Sequence, residues 1–585
     1  MSTVLLSGNE AIARGAFEAG VHLAVAYPGT PSTEILENMA LYPSILSQWG
    51  PNEKVAMEVA IGGSMAGGRT IVSMKHVGVN VAADPLFSFA YTGVHGGFVL
   101  ISADDPGMHS SQNEQDNRLY AKFAKIGLLE PGDSQECKDY VKLAFELSEQ
   151  FDMPFMVRIT TRVAHTKGLV RLDEPVHKEV KTYTKNFNKN ITLPANARNL
   201  RVSLETRLQK LEEYNDTLPI HIMEMNDRSL GVITSGICYQ YVKEALPHVS
   251  VLKIGCTNPL PMKLISQFAE SVEELWVVEE LEPFMEMQIS AASIPCIGSS
   301  GCIPFYGKEL LPKIGELSPS ILREKILGVP PTQAIEVPES PIRPPVLCPG
   351  CPHRSVFHTL RDLKAIVTGD IGCYTLGALS PLDAMDTTIC MGASIPMALG
   401  FEKVHPELAS KLVAVIGDST FFHSGMTGLV DQVYNGGTST ILLLDNSITA
   451  MTGHQHHPGT GVQLNGKTSP SLDYEAIIRA LGVQRVTIVD AYDLATLKKV
   501  IKEEMETREL SVVIVQRECA LIRKDLTDKY EILPDKCVAC KACLRIGCPA
   551  MSFNGKHTVI DRSLCVGCGV CSQLCRFGAI VKEVK

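Results

Sequence analysis

Eight of the chain's 18 cysteines fall between Cys537 and Cys575, and no other feature of its 585 residues restricts the possible folds so sharply. The stretch is short and lacks a large apolar core, so cross-links must stabilise it. The N-terminus, "MSTVLLSGNEAIARG", has none of the basic, apolar and small-residue zones of an export signal, and a cytoplasmic location is expected. In that setting crowded thiols point to metal rather than to disulfides. The spacing is Cys537-x2-Cys540-x2-Cys543-x4-Cys548-Pro549, then Cys565-x2-Cys568-x2-Cys571-x3-Cys575.

Upstream, short β-rich runs such as "VHLAVAYPG" and "DMPFMVRITT" alternate with helical patterns such as "PSTEILENMALY" over residues 1–185. That alternation predicts a parallel sheet with covering helices. Residues 186–226 are polar and helix-prone and read as a linker. A second, smaller α/β unit is expected over 227–330, a proline-rich extended linker over 331–346, and a third α/β unit over 347–527. The cysteine-dense domain then occupies 528–585. The fold class expected is α/β, with several doubly wound parallel-sheet domains and a small C-terminal metal-bearing domain. Lys and Arg number 54 against 64 Asp and Glu, a formal charge of −10, and no basic stripe is present. Nucleic acid and anionic membrane surfaces are therefore not expected partners. The longest uncharged stretch, "PLFSFAYTGVHGGFVLISA", carries Gly-Gly, His and hydroxyls, and reads as buried core rather than a membrane span.

Two strand ends raise a chemical question. "VAVIGDSTFFHSG" closes an apolar strand on Gly417-Asp418-Ser419, where nucleotide folds usually set a glycine loop against phosphate, yet a carboxylate repels phosphate. The next strand, in "STILLLDNSITAMTGHQ", ends on Asn446, 28 positions later. In a right-handed crossover both strands end on the same sheet edge. One carboxylate and one amide oxygen are thereby set side by side. Such oxygens suit Mg²⁺, which keeps few protein ligands and completes its shell with substrate phosphates. The ion then stands between Asp418 and the anion and reverses the local charge. The competing reading is that both residues merely cap adjacent loops.

These motifs resemble known families. Gly417-Asp418-Ser419 followed by Asn446 is similar to the thiamine diphosphate signature, with Ser419 where that family has glycine. The resemblance implies Mg²⁺ held by Asp418, Asn446 and the backbone carbonyl of Ile448. In "NEKVAMEVAIGGSMAGGRT" (52–70), Glu58 sits among apolar and small residues, where a lone buried charge is costly. The resemblance makes Glu58 the buried glutamate against N1′ of the aminopyrimidine, and Glu53 an exposed helix residue. "YPGTPSTE" (27–34) resembles the substrate loop of 2-oxoacid:ferredoxin oxidoreductases, with Thr30 towards the substrate carboxylate. "DDPGMHSSQNEQDNR" (104–118) is similar to the same family and turns His109 towards the substrate. "CPGCPHRS", "GDIGCYTLG" and "CMGASIPMALG" resemble its diphosphate-binding domain, so Cys348, Gly350, His353, Gly372 and Cys373 are expected around the cofactor. Alternatively Cys348, Cys351 and His353 are half a zinc site, although no second pair lies nearby in sequence. His423 and His454 occupy the loops that flank the metal.

The cysteine runs resemble those of bacterial two-cluster ferredoxins, in which the fourth cysteine of each run ligates the other cluster. Carried over, Cys537, Cys540, Cys543 and Cys575 hold one [4Fe–4S] cluster, and Cys548, Cys565, Cys568 and Cys571 the second. A zinc ribbon uses pairs of cysteines instead. Taken together, the order of parts is similar, over essentially the whole chain, to the indolepyruvate:ferredoxin oxidoreductase α-subunit family. That resemblance implies oxidative decarboxylation of indolepyruvate and other aryl 2-oxoacids with CoA, and electron delivery to ferredoxin. It also implies a smaller β subunit and a dimer of heterodimers. The competing expectations are another acid (pyruvate, 2-oxoglutarate or a branched-chain oxoacid) or a non-catalytic electron-transfer subunit.

Overall fold

The computed structural model describes residues 2–296, 302–330, 344–523 and 528–583, so residues 331–343 of the expected proline-rich linker lie outside the described residues. The chain divides into two compact units, Met1–Pro338 and Glu339–Lys585.

In the first unit, seven strands form one sheet in the order Cys256–Asn258, Gly127–Leu129, Phe155–Thr160, Phe98–Asp104, Thr70–Lys75, Leu23–Ala26 and Leu46–Trp49. All neighbours run parallel except the outermost strand, Cys256–Asn258, which is antiparallel to Gly127–Leu129. Strands Thr70–Lys75, Phe98–Asp104 and Phe155–Thr160 are buried along their whole length. That is the burial of a parallel sheet covered by helices on both faces, and it explains their continuous apolar runs. A five-stranded sheet follows, ordered Phe305–Tyr306, Leu275–Val278, Asp227–Ser235, Val249–Ile254 and Ile222–Glu224.

The boundary expected at 226 is not a boundary in space, because strand Cys256–Asn258 crosses from the second region to complete the first sheet. Buried charges tie the two regions further. Arg118 donates to Glu279 at 2.7 Å, and Glu130 accepts from Arg158 at 2.7 Å and Thr257 at 2.7 Å. The linker expected over 186–226 is also packed structure. Its long helix, Pro194–Asn215, buries Leu200, Leu204 and Leu211 on one stripe, the spacing of an amphipathic face. Arg207 from the same helix donates to the carbonyls of Ala90 and Tyr91 at 2.9 Å each.

The second unit holds a five-stranded, all-parallel sheet ordered Ile366–Thr368, Leu412–Gly417, Thr440–Asp445, Ser511–Gln516 and Arg485–Asp490. Apolar clusters fill both faces, one around Phe357, Val415 and Leu442, the other around Ile416, Phe421 and Leu443. The cysteine-dense region adds two small antiparallel ribbons, Tyr530–Ile532 with Ile580–Lys582 and Met551–Phe553 with Thr558–Ile560. Among the described residues no helix is long and apolar enough to cross a membrane.

Candidate active site

Strands Leu412–Gly417 and Thr440–Asp445 are direct parallel neighbours, with Gly417 opposite Leu444. Asp418 and Asn446 follow their carboxyl ends, and both side chains are buried. Asp418 accepts the backbone N–H of Ser419 at 2.8 Å and lies 3.2 Å from Nε2 of His457. The amide oxygen of Asn446 accepts the N–H of Ile448 at 3.3 Å, and its Nδ2 lies 3.4 Å from Nε2 of His353. Ser447 adopts φ +60° between them, which curls the chain so that Asn446 and Ile448 share one turn. After Asp418 the chain passes through a π-helical turn, Phe421–Gly425, a form of helix that recurs at functional sites.

The surroundings favour a cation. Asp445 is also buried, and burial together with the charge of Asp418 pushes its carboxyl above the usual range. The Tyr474 hydroxyl is buried with no hydrogen-bond partner among the described residues. Burial pushes His353 down to about 4, against the pull of Asp418, so the imidazole is neutral at pH 7. Glycine lets the Tyr374 ring pack against both loops: a Cβ on Gly417 would lie 2.6 Å from that ring, and one on Gly372 would overlap it. Asp370 organises the Gly372–Cys373 loop by accepting N–H groups from Ile371 at 2.8 Å, Gly392 at 2.8 Å and Ser394 at 3.1 Å. These donors and clearances fit Mg²⁺ and a diphosphate. His457 is the residue missed in the sequence; its signal was a third histidine in "TGHQHHPG", after His454. Of the two histidines noted there, His423 is buried and pairs with Ser424 Oγ at 2.6 Å, and His454 is half-buried.

Sulfur forms three sets in the same unit. The first is Cys348, Cys351, Cys373 and Cys519. Burial pushes the Cys351 thiol up to about 12 and Cys373 up to about 11; Cys373 and Cys348 add to the first shift, Cys519 and Cys348 to the second. Cys373 and Cys519 thus lie within electrostatic reach of Cys348. The second set is Cys537, Cys540, Cys543 and Cys575, which line one cavity of about 340 Å³ with Ile532, Phe577 and Ile580. The third is Cys548, Cys565, Cys568 and Cys571, where burial and then the neighbouring thiolates push Cys571 well up. None of these twelve cysteines is in a disulfide. Soft, clustered thiols of this kind suit iron–sulfur centres. Among the described residues no three His, Cys, Asp or Glu side chains are already drawn to metal-ligand spacing, so the structure defines donor sets rather than bond geometry.

In the first unit the expected site residues fare unevenly. Helix Glu53–Met65 buries Glu53, Ala56, Met57, Ala60 and Ser64. Glu58 lies on the opposite face, as the 3.6-residue period requires; its side chain is 44 % exposed and pairs with Lys54. The premise of a buried Glu58 therefore fails, and Glu53, 6 % exposed, is the buried glutamate. A Cβ on Gly78 would come within 2.8 Å of Glu53 Oε1. Thr30 is half-buried, its carbonyl 3.4 Å from Ser110 Oγ. Lys75, at the carboxyl end of its strand, donates to Ser110 O at 2.6 Å, and burial lowers it to about 8. His109 is exposed and stands 3.4 Å from Glu316.

A parallel sheet with Asp418 and Asn446 at adjacent strand tips, in one unit with the cysteine-dense region, fits a thiamine diphosphate-binding, iron–sulfur oxidoreductase. Comparison with known proteins agrees. The family described as "Pyruvate flavodoxin/ferredoxin oxidoreductase, thiamine diP-bdg" matches residues 14–224, "Thiamine pyrophosphate enzyme, C-terminal TPP binding domain" 370–515, and "4Fe-4S binding domain" 558–581. "Indolepyruvate oxidoreductase subunit IorA" of Archaeoglobus fulgidus is 42 % identical, over 99 % of this chain and 97 % of that one. The proteins of the same description from Thermococcus kodakarensis and Methanothermobacter marburgensis are each 40 % identical, over 98 % and 100 % of this chain and 96 % and 98 % of theirs. The chain belongs to the indolepyruvate oxidoreductase IorA family, within the 2-oxoacid:ferredoxin oxidoreductases.

Proposed function

We propose that the chain is the catalytic subunit of an enzyme that oxidatively decarboxylates indolepyruvate and related aryl 2-oxoacids with CoA, reducing ferredoxin. The observation that carries this reading is the buried Asp418–Asn446 pair at adjacent strand tips, in one compact unit with the cysteine sets. Asp418, Asn446 and the carbonyl of Ile448 hold Mg²⁺. Gly417, Ser419, Gly350, Gly372, Cys348, Cys373 and neutral His353 surround the diphosphate. Thiamine diphosphate, when bound, supplies the electron sink that lets a 2-oxoacid lose CO₂. In the first unit Glu53, in place of Glu58, is the residue that would hydrogen-bond an aminopyrimidine and set its tautomer. Thr30 and Lys75 are that unit's candidates for a substrate carboxylate, while exposed His109 is left outside this group.

Electrons leave through the two ferredoxin-type sets, Cys537/Cys540/Cys543/Cys575 and Cys548/Cys565/Cys568/Cys571, each holding a [4Fe–4S] cluster. The buried set Cys348/Cys351/Cys373/Cys519 has the donors for a third sulfur-ligated centre. The relatives are named as subunits, which supports a partner: we infer a smaller β subunit, a dimer of heterodimers, and a cytoplasmic setting. The test is anaerobic co-purification with that subunit and CoA-dependent dye reduction by indolepyruvate, phenylpyruvate, pyruvate and 2-oxoglutarate. Aryl acids should turn over fastest. A preference for an aliphatic acid overturns the substrate, and iron without turnover of any acid favours a purely electron-transferring subunit.

A further inference from the structure

Four arginines are buried among the described residues, and three of them face carboxylates. Arg69 meets Glu146 and Glu149, Arg118 meets Asp116 and Glu279, and Arg158 meets Asp104 and Glu130. Arg354 is different. It is 4 % exposed, yet no carboxylate pairs with it among the described residues. Its Nε donates to Cys348 O at 3.0 Å, and its Nη1 to Ile546 O at 3.3 Å and to Gly547 O. Nη2 is buried with no acceptor among the described residues. A buried cation lacking a counter-charge is costly, so the fold has to supply an anion there.

What surrounds Arg354 is sulfur. Burial pulls its guanidinium below the usual range, and Cys548, Cys351, Cys348 and Cys568 act against that pull. Two of these come from the Cys348–Cys351 turn and two from the second ferredoxin set. The two regions are pressed together: a Cβ on Gly350 would overlap Val566 and lie 3.7 Å from the Cβ of Cys568. Gly547 directly precedes the ligand Cys548.

We propose that Arg354 is a positioning residue for electron transfer: it clamps the Cys348–Cys351 turn to the backbone before Cys548 and holds its charge against the cluster of Cys548, Cys565, Cys568 and Cys571. The inference rests on the proposed two-cluster reading. A cluster gains one negative charge when it accepts one electron, and no other bond changes. A fixed neighbouring cation stabilises the reduced form, so it raises that cluster's potential above the value it would have without the guanidinium; the set at Cys537 is lined by Lys536 and Lys541 instead. Net charge and hydrogen bonds to sulfur are established determinants of cluster potential. Nη2 has the free N–H to give such a hydrogen bond.

The test is an anaerobic redox titration followed by electron paramagnetic resonance, on the full chain with its partner subunit. Signals are assigned with a Cys537→Ala variant, and iron per chain is measured in parallel. In Arg354→Gln, a single electron should redistribute about tenfold away from the Cys548 set, which for a one-electron couple is 59 mV. The signal of the Cys537 set should stay in place. Arg354→Lys keeps the charge and should return most of the lost potential. Full iron with unmoved potentials in Arg354→Gln overturns the proposal. So does an Arg354→Lys shift as large as that of Gln, since contact rather than charge would then be the cause. If Arg354→Gln loses iron, the Lys variant decides alone. A native chain without the second cluster overturns the underlying reading, and this proposal with it.

Discussion

Glu53 and Gly78 are packed so closely that even a methyl group at position 78 would meet the carboxylate. That contact makes the role of Glu53 testable from two sides. Glu53→Gln should lower turnover about a hundredfold or more, the range of a lost proton-transfer partner, while visible iron–sulfur absorbance is unchanged. Gly78→Ala should displace Glu53 and produce the same loss with the glutamate still present. Glu58→Gln, at an exposed ion pair, should leave turnover near native; a large loss there would return the role to Glu58. A second residue reports through pH. Burial pushes Glu280 up to about 7 from an ordinary 4.5, against the N–H of Leu317 and the charge of Arg158. Between those values the native chain keeps a proton that the unfolded chain releases, so this group's contribution to stability falls as pH rises through the window. At 1.36 kcal/mol per unit the full effect is about 3 kcal/mol. Glu280→Gln should melt close to native at pH 5 and higher than native at pH 7.5. Equal pH slopes for the two proteins would exclude it.

At the scale of elements, what could be read beforehand was short in range. The tips of strands Leu412–Gly417 and Thr440–Asp445 follow from apolar runs that stop at Asp418 and Asn446, and from the hand of a crossover. The face of a helix was harder. "NEKVAMEVAIGGSM" offers two glutamates in an apolar setting, and which one is buried depends on Gly78, a residue outside the helix. Helix Pro194–Asn215 agrees with the helix-prone reading of 186–226, but its packing is hidden because charged residues outnumber the apolar stripe of Leu200, Leu204 and Leu211. The stripe can be weighed directly. Leu204→Ala, at a fully buried position, should cost about 2–5 kcal/mol in denaturant unfolding. Val202→Ala, 67 % exposed on the same helix, should stay within about 0.5 kcal/mol.

On the scale of the whole molecule, the cysteines divide by how far apart in sequence their partners lie. The two ferredoxin-type sets announce themselves because neighbouring ligands are three to five positions apart within each run. The third set draws Cys348 and Cys351 from one loop, Cys373 from the next and Cys519 from the far end of the sheet. Only a parallel sheet, which returns every strand to the same edge, brings such positions together. Cys519 follows strand Ser511–Gln516, and its N–H is bound by Asn446 O at 2.9 Å, so the metal-bearing tip and the thiol set are built on one edge. If the set holds a cluster, all three centres should fill together under anaerobic loading. Cys519→Ser and Cys373→Ser should then each lower iron by about a third, because one [4Fe–4S] centre of three is lost. The ferredoxin-type signals should persist in both variants. Iron equal to native in both would instead leave these thiols as packing around the diphosphate, and the electron path would start directly at the set that Arg354 faces.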